Sequence, residues 1–213
     1  MTVKKVFLTL VLGLLLLVVV LFGGGMLLDG DVEIETEATL DASQEVVYSL
    51  LQDPAGVLQW WAGASDEFGQ EAMEGMTSKQ GEGPATGPGA TVLFEMGEKV
   101  AEEWTLVSVD APNEAVWDVD FQMFVVRRTL RLEGLSDGKT KVVWRDAGTF
   151  ESPLSRWFTL MPKETVIQNF QNALKLLDRQ AQAESAARAE AEAKAKAEEV
   201  TGDDDSANTE TPE

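Results

Sequence analysis

The side chains best placed for chemistry are carboxylates set between tryptophans in two strand-like runs. In Val143-Trp144-Arg145-Asp146-Ala147, Trp144 and Asp146 share one face of a strand and Arg145 points the other way. If Trp144 faces an interior, Asp146 does too. A carboxyl group there would hold its proton more tightly than in water and could act as a general acid or base, or bind a ligand hydroxyl. The competing reading leaves Asp146 near the sheet end, wet or paired with Arg127 or Arg128, since structural ion pairs also perturb such groups. Glu95 and Glu103 carry weaker versions of the same argument. In Trp117-Asp118-Val119-Asp120-Phe121 the two acids lie opposite three apolar residues and read as solvated.

Composition removes most other chemistry. The 213 residues include no His and no Cys. There is therefore no Ser-His-Asp triad, Cys-His pair, thiolate nucleophile, zinc-Cys site, iron–sulfur cluster or disulfide. No cofactor and no metal are expected. With 17 basic against 37 acidic side chains the formal charge is -20. Nucleic-acid binding needs a cationic surface, so that partner class is excluded. The Gly81-Glu82-Gly83-Pro84 stretch lacks a following Lys-Ser/Thr and opens no helix, so it is not a phosphate-binding loop.

Three regions can be separated. Residues 1–28 carry Lys4 and Lys5 and then an uncharged run over 6–28. As a helix this run would span about 34 Å, enough for a hydrocarbon core of about 30 Å. It reads as an uncleaved membrane anchor. The alternative is a signal peptide followed by secretion, but the apolar run is long for one and Ala-x-Ala is absent. Lys4 and Lys5 before the run, with Asp29, Asp31, Glu33 and Glu35 after it, place the N-terminus in the cytoplasm and the remainder outside. A transmembrane dimer through Gly23-Gly24-Gly25 is weakly supported, because the spacing is not Gly-x-x-x-Gly. Residues 183–213 form an Ala/Glu/Lys-rich segment of good helix formers, expected as a fraying helical extension, and then an acidic disordered tail.

Residues 29–182 hold the domain. Strict alternation over 31–40 predicts a half-exposed strand. Ser43 and the stripe Val46, Val47, Leu50 and Leu51 predict a helix, and Asp53-Pro54 starts a second one carrying Val57, Leu58, Trp60 and Trp61. Part of 64–78 could be strand. Strands follow at 90–96, 100–109, 115–121, 124–132 and 139–149. Residues 162–182 form a long amphipathic helix with Val166, Ile167, Phe170, Leu174 and Leu177 on one side. Segregated helices and antiparallel strands mean an α+β fold.

Several of these residues carry a family resemblance. Ala42-Ser43 followed by 45–51, Asp53-Pro54 leading to Trp60-Trp61, the Gly87-Pro88-Gly89-Ala90 turn and Glu103-Trp104 through Asp110-Ala111-Pro112-Asn113 stand in a characteristic order. With the closing helix over 164–177, the arrangement resembles the polyketide cyclase/dehydrase and lipid-transport group of the SRPBCC, or START-like, helix-grip superfamily. The resemblance covers about 31–182. It implies a Bet v 1-like antiparallel sheet wrapped around a long C-terminal helix. It also implies a hydrophobic cavity for a lipid, polyketide-like or other apolar small molecule, and it does not imply catalysis. The expected lining residues are Trp61, Phe94, Trp117, Val119, Phe121, Leu130, Trp144 and Phe170. Three functions follow: a membrane-anchored binding module, a cyclase or dehydratase working through cavity carboxylates such as Asp146, or an envelope assembly factor using the acidic tail as a handle. The oligomeric state is left open.

Overall fold

The computed structural model describes residues 3–52, 54–61 and 76–204. Asp53, the glycines of 62–75 expected to end the second helix and form loops, and residues 205–213 of the acidic tail lie outside the described residues.

An apolar helix α1 (Val3–Leu27) comes first, followed by β1 (Asp31–Leu40), α2 (Gln44–Leu51) and α3 (Pro54–Trp61). Six strands come next: β2 (Met76–Gln80), β3 (Thr91–Met96), β4 (Lys99–Asp110), β5 (Glu114–Asp120), β6 (Val125–Gly134) and β7 (Thr140–Thr149). A 3-10 helix (Ser155–Leu160) then leads into the long helix α4 (Lys163–Asp204).

The strands form one antiparallel sheet of seven in the order β1-β7-β6-β5-β4-β3-β2. From β3 to β7 consecutive strands pair through short turns, β2 joins β3 through the longer loop 81–90, and the first strand closes against the last over ten residues, Asp31↔Thr149 to Leu40↔Thr140. Register shifts at Phe94/Glu95 and Leu106/Ser108 interrupt the β3–β4 and β4–β5 ladders. Such bulges increase local twist and bend, which lets a sheet curl over a helix. Helix α4 is that helix: Phe170, Ala173, Leu174, Leu177 and Ala181, at helical spacing, are buried. This is the helix-grip architecture that the resemblance implied.

The alternation in β1 is realised as an exposed glutamate face and a half-buried face ending at buried Leu40. The core is dominated by Trp104, Trp117 and Trp144 from the sheet and Trp60 from α3, all fully buried. Trp60 meets Trp104 and Trp144 edge-on at centroid distances of 6.3 and 5.7 Å, the geometry favoured by ring quadrupoles.

The amphipathic helix over 162–182 and the helical extension expected after it form one continuous helix. It runs on through the Ala-rich segment to Asp204, because that segment contains strong helix formers and no Gly or Pro before Gly202. Glu184 and Arg188 bridge at 2.8 Å in the i,i+4 order. The 3-10 helix has no counterpart among the expected elements. Its first turn is held by Ser152, whose Oγ accepts from the Ser155 N–H at 3.0 Å.

Helix α1 is long and apolar enough to cross a membrane. Near its C-terminal end it touches the body of the protein. The Trp157 indole N–H donates to the Leu21 carbonyl at 2.9 Å. A Cβ on Gly24 would stand 2.7 Å from the Trp157 ring, and one on Gly25 would overlap the Pro153 carbonyl oxygen at 1.8 Å. Gly24 and Gly25 are therefore the positions where the 3-10 segment approaches the helix backbone, a contact that any side chain would block.

Candidate ligand cavity

A cavity of about 260 Å³ lies between the sheet and α4. It is a little smaller than the roughly 300–1,000 Å³ of most small-molecule sites. Five elements supply its walls. β1 supplies Val32 and Ile34, and β6 supplies Val126 and Arg128. β7 contributes Asp146, with Phe150 just beyond it, and α3 contributes Trp61. Helix α4 contributes Val166, Asn169 and Phe170. The remaining rim is Phe121 and Phe124 around the β5–β6 turn, Phe158 and Thr159 on the 3-10 helix, and Met161 and Lys163 after it.

Strand register explains why the Arg128–Asp146 ion pair of this cavity wall is on its inner side. Ile34, Asp146, Arg128 and Trp117 stand opposite one another across β1, β7, β6 and β5. All four share the inward face. Arg128 donates from Nε and Nη2 to the two carboxylate oxygens of Asp146 at 2.9 and 2.7 Å. Asp146 Oδ1 also accepts from the Trp144 indole at 2.8 Å. The guanidinium carbon lies 4.5 Å from the Trp61 ring centre, 4.3 Å from Trp104, 4.5 Å from Trp144 and 5.5 Å from Phe170. Four π-faces thus surround a cation that has little water, a favourable arrangement for guanidinium. Arg128 Nη1 meets no hydrogen-bond acceptor among the described residues.

A second carboxyl stands close by. Glu102 Oε2 accepts from the Trp104 indole at 2.9 Å. Burial raises its pKa above the ordinary glutamate value, and the hydrogen bonds from Trp104 and Trp61 and the charge of Arg128 only partly oppose this. Glu102 is absent from the sequence-derived candidates. Period two counted from Trp104 would have found it, by the same rule that placed Asp146 beside Trp144. The two glutamates singled out instead stand elsewhere: Glu95 pairs with Lys79 at 2.6 Å, and Glu103 is half-buried opposite Asp120.

Of the expected lining residues, Trp61, Phe121 and Phe170 border the cavity. Phe94, Trp117, Val119, Leu130 and Trp144 are fully buried in the core around it. Trp144 stacks on Phe170 at 4.7 Å and so backs the wall. Asp118 is bound by Arg127 at the outer face, with Nε and Nη2 each 2.9 Å from a carboxylate oxygen. The walls are mostly aromatic and aliphatic, and the polar groups gather at Arg128–Asp146 and at Asn169, Thr159 and Lys163. Among the described residues no cluster of three or more acidic side chains could hold a metal ion.

Residues 31–182 match the protein family described as polyketide cyclase / dehydrase and lipid transport. The chain belongs to that family, which is part of the SRPBCC superfamily. Among solved structures, it is similar to protein CV1439 from Chromobacterium violaceum, with 19% identity and a TM-score of 0.50 over 70% of this chain and 96% of that one. It is also similar to the major latex-like protein 151 of Panax ginseng, with 9% identity and a TM-score of 0.52 over 71% of this chain and 97% of that one. At these identities the likeness is one of fold. No curated protein matches the sequence.

Proposed function

We propose that this protein is a membrane-anchored binding module that holds an apolar or amphipathic small molecule, such as a lipid or polyketide-like compound, in the cavity between sheet and α4. The supporting observation is the cavity itself: aromatic and aliphatic walls with one buried ion pair at the inner end. Such a site takes an apolar body along its walls and a hydrogen-bonding group at its polar end. Residues 6–28 serve as the anchor, with Lys4 and Lys5 on the cytoplasmic side and residues 29–182 as the domain on the other.

Binding is favoured over acid–base catalysis by the state of Asp146. Its two oxygens are engaged by Arg128 and one of them also by Trp144, so it is not positioned to pass a proton to a substrate.

Native mass spectrometry of the full-length chain, released from detergent and then denatured, tests the reading. A stoichiometric lipid-like mass that appears on denaturation is the expected result. A chain that carries no such mass, and that also takes up no pyrene-labelled fatty acid from vesicles, would refute it.

A further inference from the structure

The direction of the cavity mouth follows from strand register. The ends of the sheet are set by antiparallel pairing. At one end stand Asp31, the first residue of β1, opposite Thr149, the last of β7, with Asp120 opposite Val125 at the β5–β6 turn. Helix α1 enters at this end, since Leu27 precedes β1 by only a few residues. The cavity is bordered here by Phe121, Phe124 and Phe158. Phe124 packs on Phe150 at 4.4 Å and on Phe158 at 5.5 Å, so the turn and the 3-10 helix form one rim. The opposite end, with the β6–β7 turn at Asp137, takes no part in the cavity lining.

This rim is unusually apolar on its outside. Leu160 is 60% exposed, Met123 54%, Met161 48% and Phe158 40%. An apolar patch of this kind beside a polar surface marks an interaction site. The contact between Trp157 and α1 says what covers it. If α1 spans a bilayer from Val6, about 20 residues at 1.5 Å each use up a hydrocarbon core of about 30 Å, which ends near Gly25. The Trp157 indole is bonded to Leu21, about 6 Å before that level by the same rise per residue. The 3-10 helix therefore cannot stand clear of the membrane. Tryptophan is also the residue that favours the interface between hydrocarbon and water.

We infer that the 3-10 helix and the β5–β6 turn seat in the bilayer leaflet next to the domain, so that the cavity opens toward lipid and its ligand exchanges with the membrane without crossing water. This rests on the anchor reading proposed above. The seating is driven by apolar burial. The chain carries a net charge of -20, and Asp29, Asp31 and Glu151 flank the rim, so anionic lipid is not needed and added salt does not release it.

The chain has no cysteine, so single-site spin labels can be placed cleanly. The full-length variants Leu160→Cys, Met123→Cys, Asp137→Cys and Leu14→Cys are labelled and reconstituted in phosphatidylcholine vesicles. Collision rates with oxygen, which partitions into lipid, and with a water-soluble nickel chelate report depth. The expected pattern is position 14 deep in the bilayer, positions 160 and 123 rich in oxygen and at least tenfold poorer in nickel contact than position 137. Position 14 deep, with 160 and 123 as open to nickel as 137, overturns the mouth inference and leaves the anchor standing. Position 14 open to nickel overturns the anchor and the inference with it. Positions 160 and 123 shielded from both reagents mean a protein cover, which also overturns the inference. The labelled side chains at 160 and 123 are exposed, and an unchanged thermal melt confirms that each variant folds.

Discussion

Arg128 and Asp146 stand directly opposite each other on adjacent strands, eighteen residues apart in sequence, and form a two-pronged ion pair inside the protein. Arg128 is 1% exposed. Its neighbour Arg127 makes the same two-pronged contact with Asp118 on the outer face, where its side chain is 58% exposed. Adjacent residues with the same chemistry thus occupy opposite dielectric environments, because successive strand side chains alternate faces.

The two pairs should respond very differently to truncation. Arg127→Ala should cost less than about 1 kcal/mol, as exposed pairs do. Arg128→Ala should cost about 3–5 kcal/mol, because Asp146 is left buried without its partner. At about 2–4 °C per kcal/mol for a chain of this size, the second variant should melt on the order of 10 °C lower. The double variant Arg128→Met with Asp146→Leu should recover most of the loss, since no unpaired charge remains. Thermal melts of the detergent-solubilised chain followed by near-ultraviolet circular dichroism make the comparison.

Glu102 should make stability fall with rising pH. Its carboxyl pKa is raised from 4.5 chiefly by burial. The folded state thus keeps the proton at pH values where the unfolded chain has released it. The contribution is full below the ordinary value and is lost as pH rises through the raised one. Urea midpoints measured from pH 4 upward should therefore decline across that window more steeply in the parent than in Glu102→Gln. Parallel profiles would remove Glu102 as the cause.

Gly25→Val should detach the 3-10 helix from α1. The new Cβ would collide with the backbone carbonyl of Pro153, which cannot turn aside as a side chain can. Overpacking of this kind costs about 1–3 kcal/mol, so amide exchange over residues 152–161 should quicken by roughly five- to a hundredfold. Gly13→Val is the control, because nothing lies within 4 Å of a Cβ there.

Val166→Trp should fill the cavity from the α4 side. Val166 is half-buried and borders the cavity. Uptake of a pyrene-labelled fatty acid should fall at least fivefold. Stability should change by no more than about 1–3 kcal/mol, the usual cost of added core volume. Unchanged uptake would place the ligand elsewhere.

Much of the architecture was legible in the sequence because it rests on local periodicity. The alternation of glutamates with Val32, Ile34 and Ala38 could only suit a one-sided strand, and the stripe Phe170, Leu174 and Leu177 could only suit an amphipathic helix. The same rule put Trp144 and Asp146 on one face, as they stand. Periodicity assigns a face and not a depth along it. That is why Phe94, Trp117, Val119, Leu130 and Trp144 share the inward side with Trp61, Phe121 and Phe170, yet only the last three border the cavity.

The remaining features depend on contacts between distant parts of the chain. Whether Arg127 or Arg128 meets Asp146 is decided by β6–β7 register, which sequence leaves open by one residue. The raised pKa of Glu102 comes from burial by the folded chain, and the tryptophans of α3 and β4 and the guanidinium of β6 that partly oppose it also meet Glu102 only on folding. The glycines of α1 gained a purpose only when Trp157 and Pro153, more than a hundred residues later, were seen against them. The sequence by itself determined the elements, their order and their apolar faces, because these depend on each residue and its near neighbours. Register, cavity and the seat of the 3-10 helix were decided by tertiary structure, because each is a balance of packing and electrostatics between segments that the chain brings together only when folded.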